Sequence, residues 1–319
     1  MPHILKDLGW FTFLTNVAGA SVIVTFSSIL YQESCAHVMV KHKDSLENDD
    51  SISREPYKTV ARLAVGKRFG LAVEVTIFIV FITNALAITL LGATTMNHVL
   101  PLNMTYYNRV RVWLVIMYFT TLPCMMYGRY TDLKSPAFVA VLASSITLAC
   151  VFSISLAAKF QYGAKTSQFS LVSTAATTIA SSQQNDGGTV EKFFKNSGLI
   201  IFVVPGPAVL LPNIIVLLRK PGKFQGPIIW SYILACMLYV TVATVPFLVF
   251  GERIRPSMID TLNDAIRSLG MSSHWLAVVI LAEIMLVIHF AMTSVLSLNP
   301  VFLSIEEKFK FPTSMFYSH

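Results

Sequence analysis

The sequence predicts an all-α polytopic membrane protein with about seven transmembrane helices. Three observations carry that prediction. The 319 residues are 54% hydrophobic and only 13% charged, about half the charged share of a soluble domain. Mean hydropathy is +0.63. The apolar residues fall into runs of about 20, the length that crosses the hydrocarbon core of a bilayer as a helix. A net charge of +7 would suggest an anionic partner for a soluble chain. Here it belongs to loop lysines and arginines that set topology, and no pattern suits nucleic acid.

In chain order the predicted spans are Leu8–Leu30, Gly70–Thr95, Arg111–Tyr127, Pro136–Ala158, Gly198–Leu218, Pro227–Phe250 and Trp275–Leu298. They form one transmembrane domain over residues 1–319. The first loop, residues 31–69, holds Lys41, Lys43, Arg54, Lys58, Arg62, Lys67 and Arg68. Its second half, YKTVARLAVGKRFG, sets Val60, Leu63 and Ala64 on one face and predicts a short interfacial helix. The loops GRYTDLKS and RKPGKF are also basic. Together with the first loop and the tail they hold 14 of the 24 lysines and arginines, so these segments are predicted cytoplasmic and the amino terminus outside. The sequon Asn103-Met104-Thr105 then falls in an outside loop. The polar stretch at residues 159–194, rich in Ser, Thr and Gln, reads as an extracellular or lumenal linker. In RPSMIDTLNDAIRSLG, Met258, Leu262, Ile266 and Leu269 recur at helical spacing and predict a short surface helix. Cys124, Cys150 and Cys236 lie in apolar spans and Cys35 in the first loop, with no disulfide or metal spacing.

The fifth span carries the strongest functional signal. In FVVPGPAVLLPN, residues 202–213, three prolines and a glycine fall within eight residues. Each proline deletes a backbone donor and crowds the carbonyl four residues back, so Pro205 frees Ile201, Pro207 frees Val203 and Pro212 frees Ala208. Gly206 lets another group approach the backbone. The amides from Ala208 onward begin a new half-helix with its positive end at the break. Acceptors and donors at one depth suit a zwitterion or small ion, and broken helices of this kind build transporter sites. The candidate site is Val204, Pro205, Gly206, Pro207 and Ala208. A packing kink is the plainer alternative for a lone proline, but Pro-Gly-Pro is harder to absorb as a kink.

Other polar residues interrupt the spans. Glu283 and His289 lie in the seventh, where a charged form costs at least about 2.5 kcal/mol. Six residues apart, they stand about 120° apart around a helix. His289 and Thr293 share a stripe. Asn84, mid-way along the second span, can bond a neighbouring helix. Asn84 and His289 join the candidate substrate site as secondary members. The plainer reading of His289 is a neutral ring bonded to a neighbouring carbonyl. Tyr232 and Tyr239 read as packing or interface anchors, and Glu74 as a structural residue near the inner edge.

Four segments together resemble the amino acid/auxin permease family, the transmembrane amino acid transporters. Gly206 with Val209-Leu210-Leu211-Pro212, then Pro221 and Phe224, resembles that family's sixth helix. DLKSPAF at 132–138 resembles the loop before its fifth, FLVFG at 247–251 the end of its seventh, and LNPVF at 298–302 the end of its eighth. The animal proton-coupled and vesicular transporters are the branch it most resembles. The resemblance implies a leucine-transporter-like fold of eleven helices in inverted repeats, of which this chain would cover helices two to eight, truncated at both ends. It implies secondary active transport of small neutral amino acids, coupled to protons, by alternating access around the break. Where the proton-coupled branch has an acidic residue before the glycine and others have His or Gln after it, this chain has Pro205 and Pro207.

The partners implied are an amino-acid substrate, a coupling proton or ion and the lipid bilayer of a plasma, lysosomal or vesicular membrane. No cofactor and no metal is called for, and no nucleotide loop or Ser/His/Asp set supports an enzyme. One alternative is a transport-inactive, regulatory relative that associates with a full-length permease. Another is a seven-span receptor, since Arg129-Tyr130 and Asn299-Pro300 echo receptor motifs. It lacks the acidic residue before Arg129, and its first inside loop is far too long.

Overall fold

A computed structural model of the protein describes residues 2–41, 56–100, 103–125, 134–161, 188–203, 225–255 and 257–309. Among these the secondary structure is helical: α1 (Pro2–Leu8), α2 (Trp10–Lys41), α3 (Pro56–Ala64), α4 (Lys67–Val99), α5 (Tyr106–Met125), α6 (Lys134–Phe160), α7 (Gly188–Val203), α8 (Gln225–Phe250), α9 (Met258–Ser268) and α10 (Ser273–Phe309), with one 3-10 turn at Gly251–Arg253. Five of them, α2, α4, α6, α8 and α10, are long and apolar enough to cross a membrane. Large apolar side chains stand outward along them, including Phe11, Val22, Ile23 and Phe26 on α2 and Trp230, Leu234 and Met237 on α8. Apolar rows of that length on the outside of a protein fit lipid rather than water. The predicted third span is the 20-residue helix α5. The predicted fifth is described only to Val203.

The chain forms two compact units. The first comprises Met1–Ile29, Leu148–Ala208 and Gln225–Ala282. Its core gathers Ile4, Leu5 and Leu8 of α1, Phe13, Val17 and Ala20 of α2, Ile200 of α7 and Ala243 of α8. The α2–α8 pairing is antiparallel. Trp10 meets Phe247 edge-on at 6.5 Å near the start of α2, while the Ser28 and Tyr232 hydroxyls lie 3.3 Å apart further along it. The short helix α1 is tied to α7 by Asp7, whose Oδ2 accepts from Asn196 Nδ2 at 3.1 Å and lies 3.2 Å from His3 Nδ1. Helix α9 has the predicted amphipathic form. Ile259, Leu262, Ala265 and Ile266 are buried, and Ser257 caps it by accepting from the Asp260 amide.

The second unit comprises Leu30–Thr147, Val209–Phe224 and Glu283–His319. Here α2 continues to Lys41, past its predicted end at Leu30. Tyr31, Cys35 and Val38 recur at i, i+4 and i+7 and pack with Val60 and Leu63 of α3, and Tyr31 meets Tyr57 in a tilted pair with ring centroids 5.0 Å apart. Cys35 is therefore a buried helical residue, not a loop residue. Helix α3 lies where the sequence predicts one. It folds back against α4 because Gly66 takes φ 125, which non-glycine residues avoid, and because Gly70 has no Cβ. A Cβ there would sit 2.9 Å from Arg62 Cβ. Lys58 of α3 pairs with Glu74 of α4 at 3.2 Å.

Candidate transport site

The polar heart of the second unit is the seam between α4 and α10. Helix α4 turns Phe81, Ala85, Thr89, Gly92, Ala93 and Asn97 inward, at the three- and four-residue spacing of one helical face. Small residues on that face let two backbones approach closely inside a membrane. Two side-chain bridges cross the seam. Asn84 Nδ2 donates to Ser297 Oγ at 3.1 Å, and the Thr89 and Ser294 hydroxyls lie 3.0 Å apart. Residue numbers rise on α4 as they fall on α10, so the helices run antiparallel. Thr89 uses its one hydroxyl proton on the Ala85 carbonyl at 2.7 Å, which makes Ser294 the donor across the seam. Ser294 and Ser297 are 0% and 3% exposed.

Gly92 marks where α5 joins the seam. A Cβ there would overlap the Met117 side chain and sit 3.3 Å from Phe290 Cβ. Around it Ala93, Trp113 and Met117 form an apolar cluster with Met96, Val110, Leu114, Val287 and Ala291. On α10, His289 Nδ1 lies 3.0 Å from the Ala140 carbonyl of α6. A carbonyl only accepts, so Nδ1 carries a proton. Thr293, the predicted stripe partner, donates to the His289 carbonyl at 2.8 Å. Glu283 is 3% exposed.

Of the sequence-predicted site residues, Val204, Pro205, Gly206, Pro207 and Ala208 lie outside the described residues. Asn84 and His289 are both in the second unit. Asn84 bonds Ser297, and the eight-residue step from His289 to Ser297 puts about 12 Å of helix between the two sites, so they are not brought together. Sequence reasoning missed Thr89, Ser294 and Ser297. Their signal was the coincidence of hydroxyls with small residues on facing helices, which needs the pairing of α4 with α10 to be seen.

Most other hydroxyls in the long helices bond back to their own backbone. Thr25 donates to Ser21 O at 2.6 Å, Thr121 to Met117 O at 2.7 Å, Ser155 to Val151 O at 2.8 Å and Thr244 to Val240 O at 2.6 Å. Such side chains offer little to a neighbour or a solute. Among the described residues no group of three or more His, Cys, Asp or Glu could hold a metal ion.

The sequence pattern that defines the transmembrane amino acid transporter proteins matches residues 1–318. The chain belongs to that family. No curated protein matches it, and no solved structure does. This amino acid transporter is thus an integral, multi-pass membrane protein whose family carries amino acids across membranes. The Asn299-Pro300 pair that echoes a receptor motif lies within the continuous helix α10, and Arg129-Tyr130 lies outside the described residues.

Proposed function

We propose that the protein carries small neutral amino acids, together with protons, by alternating access around a break at residues 204–208, and that Asn84 and His289, each in its own place in the second unit, serve substrate and proton handling. One observation carries the reading: a Pro-Gly-Pro interruption inside an apolar run of a chain that belongs to an amino acid transporter family. The freed carbonyls of Ile201 and Val203 supply acceptors for an ammonium group. The amides from Ala208 onward supply donors for a carboxylate. Residues 198–218 contain no ionisable side chain, so a substrate with a charged side chain would find no counter-charge there. That favours neutral amino acids. His289, held by one ring nitrogen on a carbonyl, keeps its second nitrogen for proton exchange.

The test is uptake by the whole chain in proteoliposomes with an imposed pH gradient. Radiolabelled alanine or glycine should accumulate with the gradient, and Gly206→Leu should abolish uptake while reconstitution remains normal. Normal uptake by Gly206→Leu sinks the site. Uptake indifferent to the gradient sinks the proton coupling alone.

A further inference from the structure

The apolar cluster where α4, α5 and α10 meet changes character one helical turn further along all three helices. Four residues after Ala93 comes Asn97, four before Trp113 comes Arg109, and four before Val287 comes Glu283. Because α4 runs opposite to both α5 and α10, those three steps lead toward the same end of the bundle. Asn97 is 6% exposed, Trp113 8% and Glu283 3%. Asn97 Oδ1, Arg109 Nε and Trp113 Nε1 are buried, and none of them has a hydrogen-bond partner among the described residues.

Two bare donors one turn apart on α5, and one bare acceptor on the α4 stretch that packs against it, call for a ligand that can both accept and donate. An anion would meet the donors but not the Asn97 oxygen. A cation would face the guanidinium. Water satisfies all three, accepting from the indole and guanidinium N–H groups and donating to the amide oxygen, within the two to four partners a buried water needs. We propose that Asn97, Arg109 and Trp113 hold an ordered buried water that joins α4 to α5 at this end, one helical turn from Glu283. The site shares no residue with the predicted break at 204–208 and does not depend on the transport reading.

Radiolytic hydroxyl-radical labelling of the whole protein in nanodiscs tests this, since bound water generates radicals where bulk water cannot reach. After correction for the intrinsic reactivity of each side chain, Trp113 should oxidise several-fold above the background set by Val279, a residue 1% exposed in an apolar setting, and slowly exchanging H₂¹⁸O should enter the product with a lag. Asn97→Leu, which removes the acceptor, should return Trp113 labelling to background with labelling of Met104, 54% exposed in the connection between α4 and α5, unchanged. Should Asn97→Leu fail to fold, Arg109→Met serves the same purpose. Background labelling of Trp113 in the unaltered protein overturns the proposal, as does labelling that survives in the folded variant.

Discussion

Replacing Thr89 by valine tests the seam between α4 and α10 at a single atom. The side chain keeps its shape and loses Oγ1, the acceptor of the Ser294 hydroxyl at 3.0 Å. Ser294 is 0% exposed, and orphaning a buried hydroxyl costs about 1–3 kcal/mol. That upper range is not expected here. Ser294 can swing to the Phe290 carbonyl of its own helix, as Ser155 does to Val151 at 2.8 Å. Interhelical bonds in membranes average about 0.6 kcal/mol and reach about 1.7. The expected loss for Thr89→Val is therefore about 0.6–1.7 kcal/mol, roughly a three- to twenty-fold shift in the unfolding equilibrium by the usual factor of ten per 1.4 kcal/mol. Reversible unfolding in mixed micelles reads it. The decisive measurement is the double-mutant cycle with Ser294→Ala. Thr89→Val and Ser294→Ala together should cost no more than Thr89→Val alone. Single effects that add to within about 0.3 kcal/mol, as for independent sites, would show that the two hydroxyls do not interact.

Gly92→Ala forces Met117 aside and crowds Phe290, an overpacking worth about 1–3 kcal/mol. The apparent melting temperature should fall, and Met117→Ala should cost less in the Gly92→Ala background than in the unaltered protein. Asn196→Leu removes a 5% exposed amide that donates to Asp7 and should lower thermal stability more than His3→Ala, whose pair with Asp7 is 31% and 25% exposed. Equal effects in a thermal-shift assay would refute the ranking. His289→Asn can keep a donor for the Ala140 carbonyl. If His289 exchanges the coupled proton, this variant should fold normally and lose the response of uptake to a pH gradient. An unaltered gradient response would reduce His289 to a structural bond.

The long helices were legible because membrane-crossing length and apolar composition are local properties. The predicted Pro227–Phe250 span and the observed α8 differ by two residues at one end. Helix α9 was legible for the same reason, since Leu262 and Ile266 repeat at helical spacing. Helix ends were less so. Lys41 ends α2 well past Leu30 because Tyr31, Cys35 and Val38 find an apolar partner in α3, a tertiary contact that composition does not reveal. Likewise α7 starts at Gly188, ten residues before the predicted span, and its Asn196 is held by Asp7, a residue 189 positions away in sequence. Asn84 was singled out as an intramembrane amide able to bond a neighbouring helix, and it does so. Its partner Ser297 could not be named from the sequence, since hydroxyls are frequent in every span and only pairing of helices selects one.

The many serines and threonines that bond to their own helix have a consequence for how the chain is made. Each hydroxyl that donates to a carbonyl three or four residues back satisfies its polarity before any neighbouring helix arrives, for instance Thr147 to Ala143 O at 3.0 Å and Ser231 to Pro227 O at 2.7 Å. A segment leaving the insertion machinery thus enters lipid as a nearly apolar cylinder despite its hydroxyl content. Thr89 already has such a bond, but Asn84, a poorer fit to its own backbone, reaches the seam only after α10 has been synthesised about 200 residues later. Until then the Asn84 amide is a polar group of α4 without its interhelical partner.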